Sequence, residues 1–148
     1  MSEETTMTPR IVVGVDGSEC SMAALRWAVE EARTSGSAVD AVLAWQPPDA
    51  WYGLVPPRGE ERTAYEARAQ EELEGSVEEA LGPGPGRPMP IRATAERGHP
   101  ATVLVRAAEG ARLLVVGNRG RGEFREALLG SVGLQCVQHA PCPVVVVR

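Results

Sequence analysis

Two turns in this chain have the composition of a ligand cradle. Gly14-Val15-Asp16-Gly17-Ser18 sets a carboxylate between glycines and ahead of a hydroxyl. Gly117-Asn-Arg119-Gly120-Arg-Gly122 is the richer of the two. Its three glycines let the backbone approach a ligand closely, and loops of this kind turn successive N–H groups toward an anion. Gly130-Ser131 then opens a helix, whose unpaired N–H groups and dipole favour phosphate. Ser131 adds a hydroxyl, and Arg119, Arg121 and Arg125 bring positive charge. The natural ligand of such a cradle is a nucleotide phosphate chain. The common phosphate motifs are nevertheless missing: no Gly-Lys-Ser/Thr occurs, and no G-x-G-x-x-G follows a strand.

Other chemistry-bearing residues carry blander readings. Asp16 can close its own turn or cap the next helix, although a nucleotide or metal contact is preferred. The arginines can be solvated. Cys136, His139 and Cys142 are spaced three apart, which invites zinc, but three local candidates do not complete a tetrahedral site. Cys20 reads as a small helix residue, His99 as a helix start, and His139 as a donor at a helix C-terminus. Trp27 is expected in the core. Trp51 and Tyr52 either close over the ligand site or pack on the surface. No nucleophile and base are paired, so the sequence supports binding better than turnover. Weak hydrolysis of a bound nucleotide is the most it suggests, from positioned phosphates and a metal near Asp16.

The elements that must position these turns alternate along the chain. Ile11–Val15 reads as a buried strand. Ser18 caps a helix with apolar positions at Met22, Ala23, Leu25, Ala28, Val29 and Ala32, and Gly36 ends it. Ala38–Trp45 is a second strand, residues 46–61 a long loop, and Arg62–Leu81 a helix with a glutamate-rich solvent face. The Gly82–Pro90 stretch can be neither helix nor central strand. Pro90–Glu96 is a third strand with a weak pattern, Pro100–Glu109 a helix, and Arg112–Gly117 a fourth strand. A last helix runs from Gly130 or Ser131 to His139, and Pro143–Arg148 is the final strand. The alternation argues a layered α/β domain with a mostly parallel sheet. In such sheets ligands bind beyond the carboxyl ends of the strands, where strand order reverses. Strands one and four flank that point in the common orders, so both turns should face one crevice.

Length and composition set the outer bounds. The 148 residues suit one domain, read as a disordered leader over 1–9 and a folded unit over 10–148. The net charge of -5 disfavours nonspecific binding to nucleic acid or an anionic membrane. At 4% aromatic residues the chain lacks the stacking platforms of single-strand binders. The apolar runs are too short to span a bilayer, and the acidic N-terminus has no signal-peptide pattern. The expected location is the cytoplasm. Three cysteines do not suggest a disulfide scaffold.

The spacing Gly117, two residues, Gly120, nine residues, Gly130-Ser131 resembles the G-x2-G-x9-G-(S/T) signature of ATP-binding universal stress proteins. Ile11–Ser18 resembles that family's first strand and turn, and His139–Arg148 its last helix and strand. The resemblance covers about residues 10–148. It implies a three-layer Rossmann-like fold of the adenine nucleotide alpha hydrolase-like kind, with a five-stranded parallel sheet of order 3-2-1-4-5. It also implies ATP, with magnesium, as ligand. Asp16 would lie near ribose and phosphates and is the expected contact for the magnesium. Ala44-Trp45 would offer backbone groups to adenine. Gly117, Arg119, Gly120, Gly122, Gly130, Ser131 and Val132 would hold the phosphates, with Gly14, Val15, Gly17 and Ser18 completing the site. In that strand order the final strand is an uncharged apolar edge. A homodimer through residues 143–148 would cover it. The implied role is a nucleotide-dependent regulator or sensor in stress. The rivals are an interaction protein of the same fold without nucleotide, an adenylyl- or phosphoryl-transferring enzyme, and a protein for AMP or cyclic AMP.

Overall fold

The computed structural model describes residues 8–47, 59–84, 86–119 and 129–148. Five strands alternate with four helices: β1 (Arg10–Gly14), α1 (Glu19–Ser35), β2 (Ala38–Trp45), α2 (Gly59–Leu81), β3 (Ile91–Arg97), α3 (Pro100–Ala107), β4 (Leu113–Gly117), α4 (Ser131–His139) and β5 (Val144–Val147). All pairings are parallel, and the order is β3-β2-β1-β4-β5. Order reverses beside β1, whose neighbours are β2 and β4. The expected sheet is therefore present. The element limits differ from the sequence reading by a few residues, most at the start of α2 and the end of α3.

The strands form because β-branched residues fill a sheet buried on both faces. Side chains alternate across it. Ile11, Val13, Val39, Ala41, Leu43 and Val115 face α1 and α2, which contribute Ala24, Leu25, Ala28, Leu73 and Val77. Val12, Val42, Leu114 and Val116 face the other way, onto Val103, Leu104 and Ala108 of the α3 region and Cys136 of α4. These two cores make three layers. α1 begins where the Ser18 side chain accepts from the Ser21 N–H, and it ends at left-handed Gly36 (φ 70°).

Trp27 corrects an expectation. It is 36% exposed rather than buried. It lies about 200° around the helix from Leu25, on the face turned away from the sheet. Ala24 is the buried neighbour instead.

Edge strand β3 is bridged by one side chain. The Gln70 Nε2–H donates to the Ala93 carbonyl at 3.0 Å, and its Oε1 accepts from the Ala95 N–H at 3.1 Å. One carboxamide thus occupies one outward hydrogen-bonding group on each of two strand residues.

Candidate functional site

The β1–α1 turn is built by local hydrogen bonds. Asp16 Oδ1 accepts from the Ser18 N–H at 2.9 Å, closing an Asx turn around Gly17 at φ 83°. The Asp16 N–H donates to Ser21 Oγ at 3.2 Å, and the Ser21 hydroxyl donates to the Ser18 carbonyl at 3.0 Å. Asp16 therefore does hold its own turn. It also lines a cavity of ≈ 240 Å³ at the carboxyl ends of the strands.

That cavity gathers most of the expected residues at the switch point. Gly14, Val15, Asp16, Ala44, Gly117, Arg119, Gly130 and Val132 all line it. Gly17, Ser18 and Ser131 stand in the flanking turns and do not line it. Gly120 and Gly122 lie outside the described residues, as do Arg121, Arg125, Trp51 and Tyr52. Lining residues that sequence reasoning did not single out are Ser21, Val42, Pro100, Leu104, Val116, Asn118 and Gly133. Strand parity is the signal that finds several of them. Val42, Ala44, Gly14, Val116 and Asn118 continue the alternation onto the α3/α4 face. The same parity sends Trp45 to the α1/α2 core, where its side chain does not line the cavity. The Trp45 carbonyl accepts from the Gly98 N–H at 2.9 Å.

Ala44, expected to offer backbone groups to adenine, stands near the end of β2. The Val42 carbonyl accepts the Val15 N–H at 2.9 Å, the last β1–β2 bond. Alternation along a parallel strand turns the Ala44 N–H and carbonyl to the same side, one step past the end of β1. They border the cavity, and around them Val42, Pro100 and Leu104 make an apolar wall.

The opposite wall is the α4 N-terminus. Gly130 is the N-cap and has no side chain with which to cap the helix. The first backbone bond of the turn runs from the Leu134 N–H to the Gly130 carbonyl, so the N–H groups of Ser131, Val132 and Gly133 precede the helical ladder. The loop is anchored at both ends. The Asn118 N–H donates to the Val147 carbonyl at 2.8 Å, and the Asn118 carbonyl accepts the Gly130 N–H at 2.7 Å. Gly117 is confined by packing. A Cβ there would stand 2.8 Å from Cys20 backbone and Cβ atoms.

Among the described residues, no group of His, Cys, Asp or Glu is placed to hold a metal ion by itself. The cysteine and histidine spacing near the C-terminus makes no such group. Cys136 is fully buried in the α3/α4 core, and burial pushes its thiol up to about 11.

Comparison with known proteins follows the same lines. The model of the universal stress protein family matches residues 7–148. A universal stress protein of Mycobacterium tuberculosis is 36% identical over 140 residues, covering 93% of this chain and 44% of the relative. One from Mycolicibacterium smegmatis is 34% identical over 142 residues, covering 93% and 45%. The chain thus spans less than half the length of these relatives. Among solved structures, universal stress protein UspA from Lactobacillus plantarum superposes with a TM-score of 0.73 at 21% identity, covering 95% of this chain and 97% of that one. A universal stress protein in complex with cAMP superposes at 0.62 with 26% identity, covering 95% and 96%. No helix among the described residues is long and apolar enough to cross a membrane. On its sequence match and its sheet order, the chain belongs to the universal stress protein family.

Proposed function

We propose that this protein binds an adenine nucleotide, ATP with magnesium foremost, and acts as a nucleotide-dependent regulator rather than a metabolic enzyme. The observation that carries the reading is the two-ended cavity at the switch point. One end is an apolar wall with the free peptide edge of Ala44. The other is a helix N-terminus with glycine at its cap, beside Arg119. A purine ring suits the first end, being flat, apolar and edged with hydrogen-bonding groups. A phosphate chain suits the second, through N–H donors, helix dipole and guanidinium. The cAMP-bound relative supports the same ligand class. Asp16 would hold the magnesium that accompanies the phosphates, as a hard oxygen ligand. Magnesium supplies charge neutralisation there, while Asp16 keeps its turn through the bond to Ser18. Among the described residues, the charged lining side chains are one carboxylate and one guanidinium, Asp16 and Arg119. The reading places the protein in the cytoplasm, where adenine nucleotides are held.

The same reading includes a homodimer through residues 143–148. β5 ends the sheet, and its four valines are only half-buried. Leu134 and Val137 add exposed apolar surface on α4, at 47% and 51%.

The direct experiment denatures freshly purified protein and identifies released small molecules by mass spectrometry, with Arg119→Ala and Gly120→Val beside the wild type. An adenine nucleotide in the wild type, reduced or lost in the variants, is expected. A wild type that is empty and ignores added ATP, AMP and cAMP with magnesium overturns the proposal in favour of a partner-binding protein.

A further inference from the structure

Leu129 lies where the chain turns into α4. It stands one residue before the Gly130 N-cap and is half-buried. Its side chain folds back over the first turn of the helix. A Cβ on Gly133 would stand 2.7 Å from Leu129 Cδ1 and 3.4 Å from its Cγ. The leucine thus fills the space that a side chain at 133 would need. The Gly117 carbonyl oxygen lies 3.7 Å from the same point, so the leucine is seated where the end of β4 meets the first turn of α4.

Nothing in the backbone requires glycine at 133. The residue is helical, and its φ is not in the left-handed region. Alanine is the better helix former at such a position. Packing accounts for the glycine instead. An apolar residue just ahead of an N-cap commonly packs on a side chain at the fourth helical position and so fixes the angle at which the chain enters. Here the fourth position is Leu134, which is 47% exposed, and Leu129 rests on the third. The entry into α4 is held by this contact and by the Gly130 N–H bond to the Asn118 carbonyl.

What the contact orients faces the cavity. Gly130, Val132 and Gly133 line it, whereas Leu129 does not. A hydrogen bond from an N–H to an anion weakens steeply as its angle closes. We propose that Leu129 is a positioning residue for the phosphate end of the cavity. By sitting on Gly133 it sets the direction of the Val132 and Gly133 N–H groups. The inference rests on the nucleotide reading above and concerns its phosphate end alone.

The test is calorimetric titration with Mg-ATP, with adenosine read by competition against it. The proteins are wild type, Leu129→Ala, Leu129→Met, Gly133→Ala and the double variant Leu129→Ala/Gly133→Ala. Leu129→Ala empties the seat, and Gly133→Ala pushes the leucine out of it. Each should bind Mg-ATP about five-fold more weakly, in line with one impaired charged hydrogen bond, and bind adenosine as the wild type does. The double variant should bind Mg-ATP more tightly than Gly133→Ala alone, because the new Cβ enters space that the leucine has left. Leu129→Met, whose flexible side chain can refill the seat, should stay close to the wild type. Mg-ATP affinity unchanged in both alanine variants overturns the inference and leaves the contact to the fold, which the ligand-free Tm would then report alone. An equal loss for adenosine and Mg-ATP also overturns it, since the whole site has then moved. So do losses that simply add in the double variant, which would place their cause outside the contact. A wild type that binds neither ligand overturns the nucleotide reading itself, and the two failures are thereby distinct.

Discussion

Replacing Gly117 with alanine tests whether the first glycine of the loop serves the ligand or the fold. Its missing Cβ leaves room for the first turn of α1, where Cys20 backbone stands 2.8 Å from the position that the Cβ would take. Backbone cannot step aside as a side chain can. Gly117→Ala is therefore expected to cost about 1–3 kcal/mol of stability, read as a clear drop in Tm even without nucleotide. Gly14→Ala is the control. There the Cβ meets only the far end of the Leu104 side chain, and the drop should be smaller. Cys136 gives a second test at this scale. Its thiol titrates near 11 in the folded protein against an ordinary 9.0. The unfolded chain therefore loses this proton first, and stability falls as pH rises from 9 toward 11. Denaturant melts across that range should show the fall, and Cys136→Ala should flatten its slope even though the cavity it leaves lowers stability overall. Some residue positions were legible beforehand. Asp16, Arg119 and Gly130 were chosen for type and position, and the cavity includes them. Asn118 and Ser21 were passed over because nothing in their type marks them. Only the parity of β4 turns Asn118 into the cavity, and only the fold of the turn directs the Ser21 hydroxyl at Asp16.

Elements were read best where they carry their own punctuation. Ser18 and Gly36 bracket α1, and the observed helix begins and ends beside them. Ser18→Ala should cost about 1 kcal/mol, the usual worth of an N-cap, measurable by chemical denaturation. α2 begins three residues before the expected Arg62, because the residue ahead of it is Arg58 and no Ser, Thr, Asp or Asn marks the start. α3 stops two residues early, at Ala107, and its last turn tightens through the Glu109 N–H to the Arg106 carbonyl. β3 looked weak in sequence for a physical reason. It is an edge strand with no fully buried residue, so selection for continuous apolar character is relaxed there. Trp45 shows the limit of strand reading. The pair Ala44-Trp45 was rightly placed at the end of β2, but a pair always spans both faces. Which member meets the cavity depends on register against β1, which the local sequence does not contain.

At the scale of the whole molecule, the strand order places a valine strand at one rim of the sheet. Pairing of two such strands across a two-fold axis is the proposed assembly. The Val147 and Pro143 carbonyls bond inward to β4-side N–H groups, so alternation turns the N–H and carbonyl of Val144 and Val146 outward. Val146→Pro removes an outward donor without breaking the β4–β5 ladder. Sedimentation at micromolar concentration should find a dimer for the wild type and a monomer for this variant. A wild type that sediments as a monomer removes the dimer from the proposal.

The opposite rim behaves differently, because Gln70 already occupies the Ala93 carbonyl and the Ala95 N–H, in the middle of the outward edge. A sheet with two open rims is a monomer of polymerisation, able to add copies without end. With one rim stoppered by its own glutamine, the sheet has a valence of one. In the proposed dimer two copies join through β5, and the joined pair offers no second valine rim to a third. Gln70→Ala would raise that valence, and the expected sign is concentration-dependent growth beyond a pair.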